Sequence, residues 1–124
     1  MKKETIQKLS EFNISSGEEL VLSERYKGFK DYLQQTVSGE GMVGKNNYLL
    51  LWEKNEIDEL NNSYGTQEFL NNVLLIGSDG GDIVYGIDVN GKYIEVPFIG
   101  MDDEEVEIIA DDFDDFIDYV WSKE

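Results

Sequence analysis

The side chains that could do chemistry in this 124-residue sequence are carboxylates, tyrosines and lysines, because it contains neither histidine nor cysteine. Their absence removes the usual general base near neutral pH, cysteine nucleophiles, disulfides and zinc–thiolate sites. No GxxxxGK[ST] or GxGxxG phosphate-binding loop occurs either. Paired carboxylates can hydrolyse glycosides, but the acids here fall in segments typical of exposed turns and a helix face, not of a buried cleft. The sequence therefore predicts a protein that is not an enzyme and holds no cofactor.

Two short segments offer the oxygen ligands that Ca²⁺ and Mg²⁺ prefer: residues 79–82 (DGGD) and residues 102–105 (DDEE). Neither has the DxDxDG…E spacing of a calcium-binding loop. The first is typical of a hairpin turn and the second of a solvated loop, so we predict no metal site.

The acidic residues are concentrated late in the chain. Residues 1–54 hold eight acids and eight bases, whereas residues 55–124 hold nineteen acids and only Lys92 and Lys123 as bases, and the net charge is −17. This charge repels nucleic acids and anionic membranes and attracts basic proteins. The densest part, residues 102–118, is called here the acidic tract. Its ten acids are the predicted partner-binding residues: Asp102, Asp103, Glu104, Glu105, Glu107, Asp111, Asp112, Asp114, Asp115 and Asp118. The alternative is that they only confer solubility.

The length and the hydrophobic fraction of 40% indicate one packed domain over residues 1–124. No apolar run is long enough to span a membrane, and the lysine-rich N-terminus lacks the apolar region of a secretory signal. We therefore expect a cytoplasmic location.

Apolar residues at helical spacing predict three helices in the first half of the chain. The first contains Ile6, Leu9 and Phe12, and residues 13–17 are expected to form a break. The second follows Ser23, with an apolar stripe that runs to Val37. Gly39, Gly41 and Gly44 then predict a loop, and a third helix begins at Asn55, with Asp58 at the capping-box position.

The second half predicts antiparallel strands at residues 48–52, 73–76, 83–89 and 92–98, with one more near residues 106–109. Residues 79–82 are expected to form a tight turn, and Asn90-Gly91 predicts a type I′ hairpin. Asp111 or Asp112 can cap a final helix with an apolar stripe. That stripe consists of Phe113, Phe116, Ile117, Val120 and Trp121. Asp114, Asp115 and Asp118 are expected to face solvent.

The order of these features resembles the SUKH superfamily, which includes fungal cell-wall-assembly regulators and many bacterial immunity proteins. The residues that carry the resemblance are Tyr26, Lys27, Phe29, Leu50, Leu51, Ile57, Ile76, Gly77, Asp79, Gly80, Gly81, Tyr85, Asp88, Phe113, Asp115 and Phe116. It covers roughly residues 20–120. The chain departs from the family pattern at Leu22-Ser23, where a proline is usual, and at Asp82, where a third glycine is usual.

The resemblance implies an α+β fold, with a mainly antiparallel sheet (a meander) flanked by N-terminal and C-terminal helices. It also implies binding and neutralisation of a cognate toxin, often a nuclease, which fits an acidic protein with a basic partner. The fungal branch leaves a second function open, a regulatory or scaffolding module with an endogenous partner. Tyr64 and Trp52 are possible aromatic anchors for the partner, although Trp52 could equally belong to the core.

Overall fold

The computed structural model describes residues 2–15 and 37–123. Within them lies a seven-stranded antiparallel sheet whose strands are adjacent in the order of the sequence. The strands are β1 (Phe12–Ser15), β2 (Ser38–Met42), β3 (Tyr48–Leu51), β4 (Val73–Ser78), β5 (Ile83–Asp88), β6 (Tyr93–Pro97) and β7 (Glu107–Ala110). The helices are α1 (Lys3–Lys8), α2 (Lys54–Tyr64), α3 (Thr66–Phe69) and α4 (Phe113–Ser122), with a 3₁₀ helix at Asp103–Glu105. The predicted α+β fold with an antiparallel meander is confirmed.

The predictions for the N-terminal part are partly wrong. The first helix ends at Lys8, and residues 13–15 of the segment predicted as a break belong to β1, which begins at Phe12. Residues 16 and 17 of that segment lie outside the described residues. The segment predicted as a glycine loop contains β2. Gly39 has a φ of +142°, and a Cβ there would lie 2.0 Å from the carbonyl oxygen of Asn13, so the glycines permit two strands to approach closely. The helix predicted after Ser23 lies outside the described residues, except for Val37 at the end of its stripe.

The central strands β4, β5 and β6 are buried on both faces, and their side chains form most of the core. On one face, the Phe116 ring of α4 packs edge-on to Tyr85 at 5.2 Å and stacks on Tyr93 at 4.9 Å between ring centroids. These aromatic contacts hold α4 against the sheet, as its apolar stripe predicts. Trp121, the last member of that stripe, is exposed.

Helix α2 is attached to β4 by the fully buried side chain of Asn61. Its amide nitrogen donates to the carbonyl oxygen of Leu75, and its oxygen accepts from the Leu75 N–H, at 2.8 and 2.9 Å. The strand has a bulge between Leu75 and Gly77, where the side chain supplies partners for the backbone. The predicted start at Asn55 is wrong by one residue, since the helix begins at Lys54 without a side-chain cap.

Two hairpins join the central strands. In the first, Asp79 Oδ1 accepts from the N–H groups of Gly81 and Ile83, and Gly80 has a φ of +82°. The second is not the predicted type I′ turn, because Gly91 alone in its loop has a positive φ. The side chain of Asp88 accepts the N–H groups of Asn90 and Lys92, which favours a three-residue loop instead.

None of the described helices is long and apolar enough to cross a bilayer, and the longest of them, α2, has eleven residues.

Candidate partner-binding surface

The acidic tract begins at the 3₁₀ helix, continues through β7 and ends on α4. Strand β7 lies at one end of the sheet and pairs with β6 alone among the described strands. The tract therefore runs along one edge of the sheet and onto the helix beside it. Its ten carboxylates fall into two groups, because some of them hold neighbouring elements together and others contact solvent only.

Asp102 and Asp103 fix the 3₁₀ helix. Asp102 Oδ1 caps it by accepting the N–H of Glu104 at 2.9 Å. The two carboxylate oxygens of Asp103 accept the backbone N–H and the side-chain amide of Asn71 at 2.8 and 2.7 Å. These bonds attach the tract to the residues that precede β4. The carboxylates considered as metal ligands at residues 102 and 103 are thus used by the protein's own N–H groups, as Asp79 is in its hairpin.

Asp111 and Asp112 directly precede α4 and make different contacts. Asp111 forms an exposed ion pair with Lys92, at 2.8 Å between oxygen and nitrogen. Asp112 is the N-cap of α4, and its side chain accepts the N–H of Asp115 at 2.8 Å. The predicted capping role is therefore confirmed for Asp112, whereas Asp111 makes a surface contact.

We expect Asp112→Ala to lower the free energy of unfolding by about 1 kcal/mol, because it leaves an N–H of the first turn without its partner. Asp111→Ala removes only an exposed ion pair and should cost less than about 0.5 kcal/mol. Urea unfolding of both variants measures the difference. Equal losses for the two neighbouring aspartates would contradict the assigned roles.

Asp114 and Asp118 bind α1 to α4. Asp114 Oδ1 accepts the hydroxyl of Thr5 at 2.6 Å and the backbone N–H of Lys2 at 2.7 Å. Asp118 forms an ion pair with Lys8. The two hydrogen bonds to Asp114 lower its pKa below the usual value of 3.8, and the bond from the Thr5 hydroxyl has the larger effect. Asp114 is therefore half-buried beside α1 and does not face solvent fully as expected, whereas Asp118 is exposed despite its ion pair, as expected.

The lowered pKa of Asp114 predicts a pH dependence of stability. A carboxyl group whose pKa is lower in the folded state stabilises that state above its ordinary pKa, and the stabilisation is lost as the pH falls through the folded-state pKa. Asp114→Asn should therefore be less stable than the native chain near neutral pH, and the gap should close below about pH 4. Denaturant titrations between about pH 3 and pH 7 measure it. A gap that stays constant over this range would show that the carboxylate charge does not matter, and Asp115→Asn serves as the control.

Four acids of the tract are exposed and make no side-chain hydrogen bond or ion pair within the described part of the chain. They are Glu104, Glu105, Glu107 and Asp115, called here the open quartet. Ile108, between them on the edge strand, has 64% of its surface exposed. The open quartet and Ile108 form the part of the tract that is free to contact another molecule.

The two aromatic residues considered as anchors differ in their exposure to solvent. Trp52 is 8% exposed and belongs to the core, whereas Tyr64 is 37% exposed. Tyr64 packs between Trp52 and Phe98, with ring centroids 5.8 and 5.2 Å away. Phe98 and Ile99 were not predicted from the sequence as exposed apolar residues, and they are 41% and 85% exposed. Their position directly after Pro97 was the available signal, because a proline that ends a strand leaves the next residues outside the sheet.

A buried polar cluster was also missed. Glu95 of β6 is buried and accepts the hydroxyl of Tyr119, and Lys123 Nζ lies 3.4 Å from its other oxygen and 3.2 Å from the Tyr85 hydroxyl. Burial and the bond to Glu95 raise the pKa of Tyr119 to about 12. Tyr119 and Lys123 supply hydrogen-bond partners to the buried carboxylate of Glu95 between the sheet and α4, and these bonds hold the end of α4 in place.

Gly77, Asp79, Tyr85 and Asp88, four of the residues that carry the family resemblance, serve the fold in the structure. A Cβ at Gly77 would lie 2.1 Å from the carbonyl oxygen of Leu50, so only glycine lets β3 and β4 pair there. Asp79 and Asp88 bind N–H groups of their hairpins, and Tyr85 is a core residue. These four positions therefore specify the hairpins and the core, whereas Asp115, which also carries the resemblance, belongs to the open quartet.

The sequence profile of the SMI1 / KNR4 family (SUKH-1) matches residues 20–119 of the chain. None of the curated proteins compared with the chain matches it. The matched span contains β2 to β7, the acidic tract and most of α4.

Proposed function

Because the chain belongs to the SMI1 / KNR4 family (SUKH-1), we propose that it is a non-enzymatic immunity protein that binds and neutralises a cognate bacterial toxin domain. The partner is a basic protein, and a nuclease domain is the class that fits best. Binding takes place in the cytoplasm, through the acidic surface at the edge of the sheet.

The observation that supports this proposal most is the open quartet. Four carboxylates are exposed and have no side-chain partner among the residues that the structure describes, in a tract that contains no lysine or arginine. Like charges at this density repel each other, and a basic partner relieves the repulsion and is steered onto the surface. A nuclease needs a positive surface to hold phosphates, so its substrate-binding side complements this edge.

Neutralisation requires no chemistry from the immunity protein. A partner that covers the positive cleft of a nuclease keeps nucleic acid from reaching it, by occupying the volume and by presenting negative charge. The sheet edge and α4 fix the backbone that carries the carboxylates, so little backbone entropy is lost on binding.

Co-expression tests this function. Each protein domain encoded directly upstream or downstream of this gene is induced in a bacterial host with and without the immunity chain. We expect the host to die with one such domain alone and to grow when both are made, and the two chains to purify as one complex. Cell death despite normal amounts of the chain, without a complex, would favour the regulatory module with an endogenous partner.

A further inference from the structure

A second surface lies apart from the acidic tract, in a groove beside β3 and α2. The groove encloses about 560 Å³, which is within the size range of ligand pockets. Its apolar and aromatic lining includes Leu50, Trp52, Leu60 and Tyr64. Binding is favourable when an aliphatic side chain displaces water from such an apolar lining.

The charged residues among the described lining of the groove are all acidic. Glu40, Glu53 and Glu56 line it, and no lysine or arginine does so among its described residues. Glu53 and Glu56 are exposed and have no side-chain partner in the described part of the chain, whereas Glu40 accepts the hydroxyl of Tyr48 at 2.6 Å. An apolar floor with a rim of carboxylates matches a side chain that has an aliphatic stem and a cationic head.

Tyr64 contributes an aromatic ring to the lining of this groove. Its ring is held between Trp52 and Phe98, so little conformational freedom remains to be lost on binding. A guanidinium or ammonium group near an aromatic ring is attracted by the ring's negative face.

We propose that this groove receives an arginine or lysine side chain, flanked by aliphatic residues, from the partner protein. The proposal rests on the proposed function in one respect, namely that the partner is a basic protein. A second copy of this chain is excluded as the main occupant because two molecules of net charge −17 repel each other. The groove then supplies the desolvated anchor, and the open quartet supplies the steering charge.

The first test uses a blocked Leu-Arg-Leu peptide and the folded ¹⁵N-labelled chain. NMR titration should show saturable shifts centred on Leu50, Glu53 and Tyr64, with a dissociation constant in the millimolar range. The same peptide with citrulline instead of arginine is neutral and nearly isosteric, and it should bind at least about 3-fold more weakly. Equal binding of the two peptides, or shifts centred outside the groove, would overturn the proposal.

Variants give a second readout. Glu56→Gln and Tyr64→Ala should each weaken peptide binding by roughly 2- to 5-fold, whereas Glu59→Gln, an exposed acid of the same helix outside the groove, should leave it unchanged. Trp52 is left intact because it is a core residue. Equal losses for Glu56→Gln and Glu59→Gln would mean that only net charge matters and would refute the groove.

The two proposals fail separately. If Glu56→Gln and Tyr64→Ala leave the affinity of the toxin complex unchanged, the groove is refuted as a contact site, and the proposed immunity function is not affected. Peptide binding in the groove without any toxin complex would support the groove as a site for basic segments and remove the immunity function.

Discussion

Neutralising the open quartet should weaken the toxin complex by about 100-fold. The variant combines Glu104→Gln, Glu105→Gln, Glu107→Gln and Asp115→Asn. Each interfacial charge pair at an exposed position contributes roughly 0.5–1 kcal/mol, so four of them contribute about 2–4 kcal/mol. The affinity of the variant should also depend much less on salt, because screened attraction between charges is what it has lost. Calorimetric titration at low and at high salt measures both effects.

A matched control separates position from net charge. Glu11→Gln, Glu59→Gln, Glu68→Gln and Asp82→Asn together remove the same charge from exposed acids outside the tract. This control should bind the toxin with nearly native affinity, and both variants should melt at or slightly above the native temperature. If both variants weaken the toxin complex equally, the effect comes from overall charge, and the acidic tract is refuted as the contact surface.

A large loss of stability is expected from Gly77→Ala, because Gly77 lies where β3 and β4 pair inside the sheet. The added Cβ would lie 2.1 Å from the carbonyl oxygen of Leu50, and the neighbouring atom belongs to the backbone, which cannot rotate away. Strands β3 and β4 must therefore separate locally, and we expect a loss of about 3 kcal/mol or more in the free energy of unfolding. For a domain of this size, the melting temperature should fall by roughly 10–15 °C.

Gly81→Ala is the control for this prediction, since it changes the same hairpin. Gly81 has no positive φ, and the nearest atom to an added Cβ is Asp79 Oδ1 at 3.6 Å, an ordinary contact. Its melting temperature should stay within a few degrees of the native one. A similar fall for both variants would mean that the hairpin tolerates no side chain at all and that the close approach at Gly77 is not special.

The second half of the fold was predictable because its signals are local. Apolar runs bounded by DGGD, by Asn90-Gly91 and by Pro97 mark β4, β5 and β6, and Asp112 with its following stripe marks α4. The pairing of β1 with β2 was not predictable in this way, because it joins Phe12 to Gly41 across many residues. Glycines that permit close strand approach have the same sequence signal as glycines in a loop.

The acidic tract was also located from the sequence, but the division among its ten carboxylates was not. Asp114 bonds to Lys2 and Thr5, and Asp103 bonds to Asn71, all distant in the sequence. Only the tertiary structure shows which carboxylates are already paired. The set of unpaired carboxylates is therefore a finding of the structure, whereas the proposed type of partner rests on the charge and on the family.

Hydrogen exchange on the toxin complex reports which backbone N–H groups the partner shields, and it therefore tests whether the acidic edge is the contact surface. We expect slower exchange in the complex than in the free chain at the 3₁₀ helix Asp103–Glu105, at β7 (Glu107–Ala110) and at the first turn of α4. Unchanged exchange in these three segments, with protection only at distant ones such as the hairpin after Asp88, would contradict the assignment of the acidic edge as the contact surface.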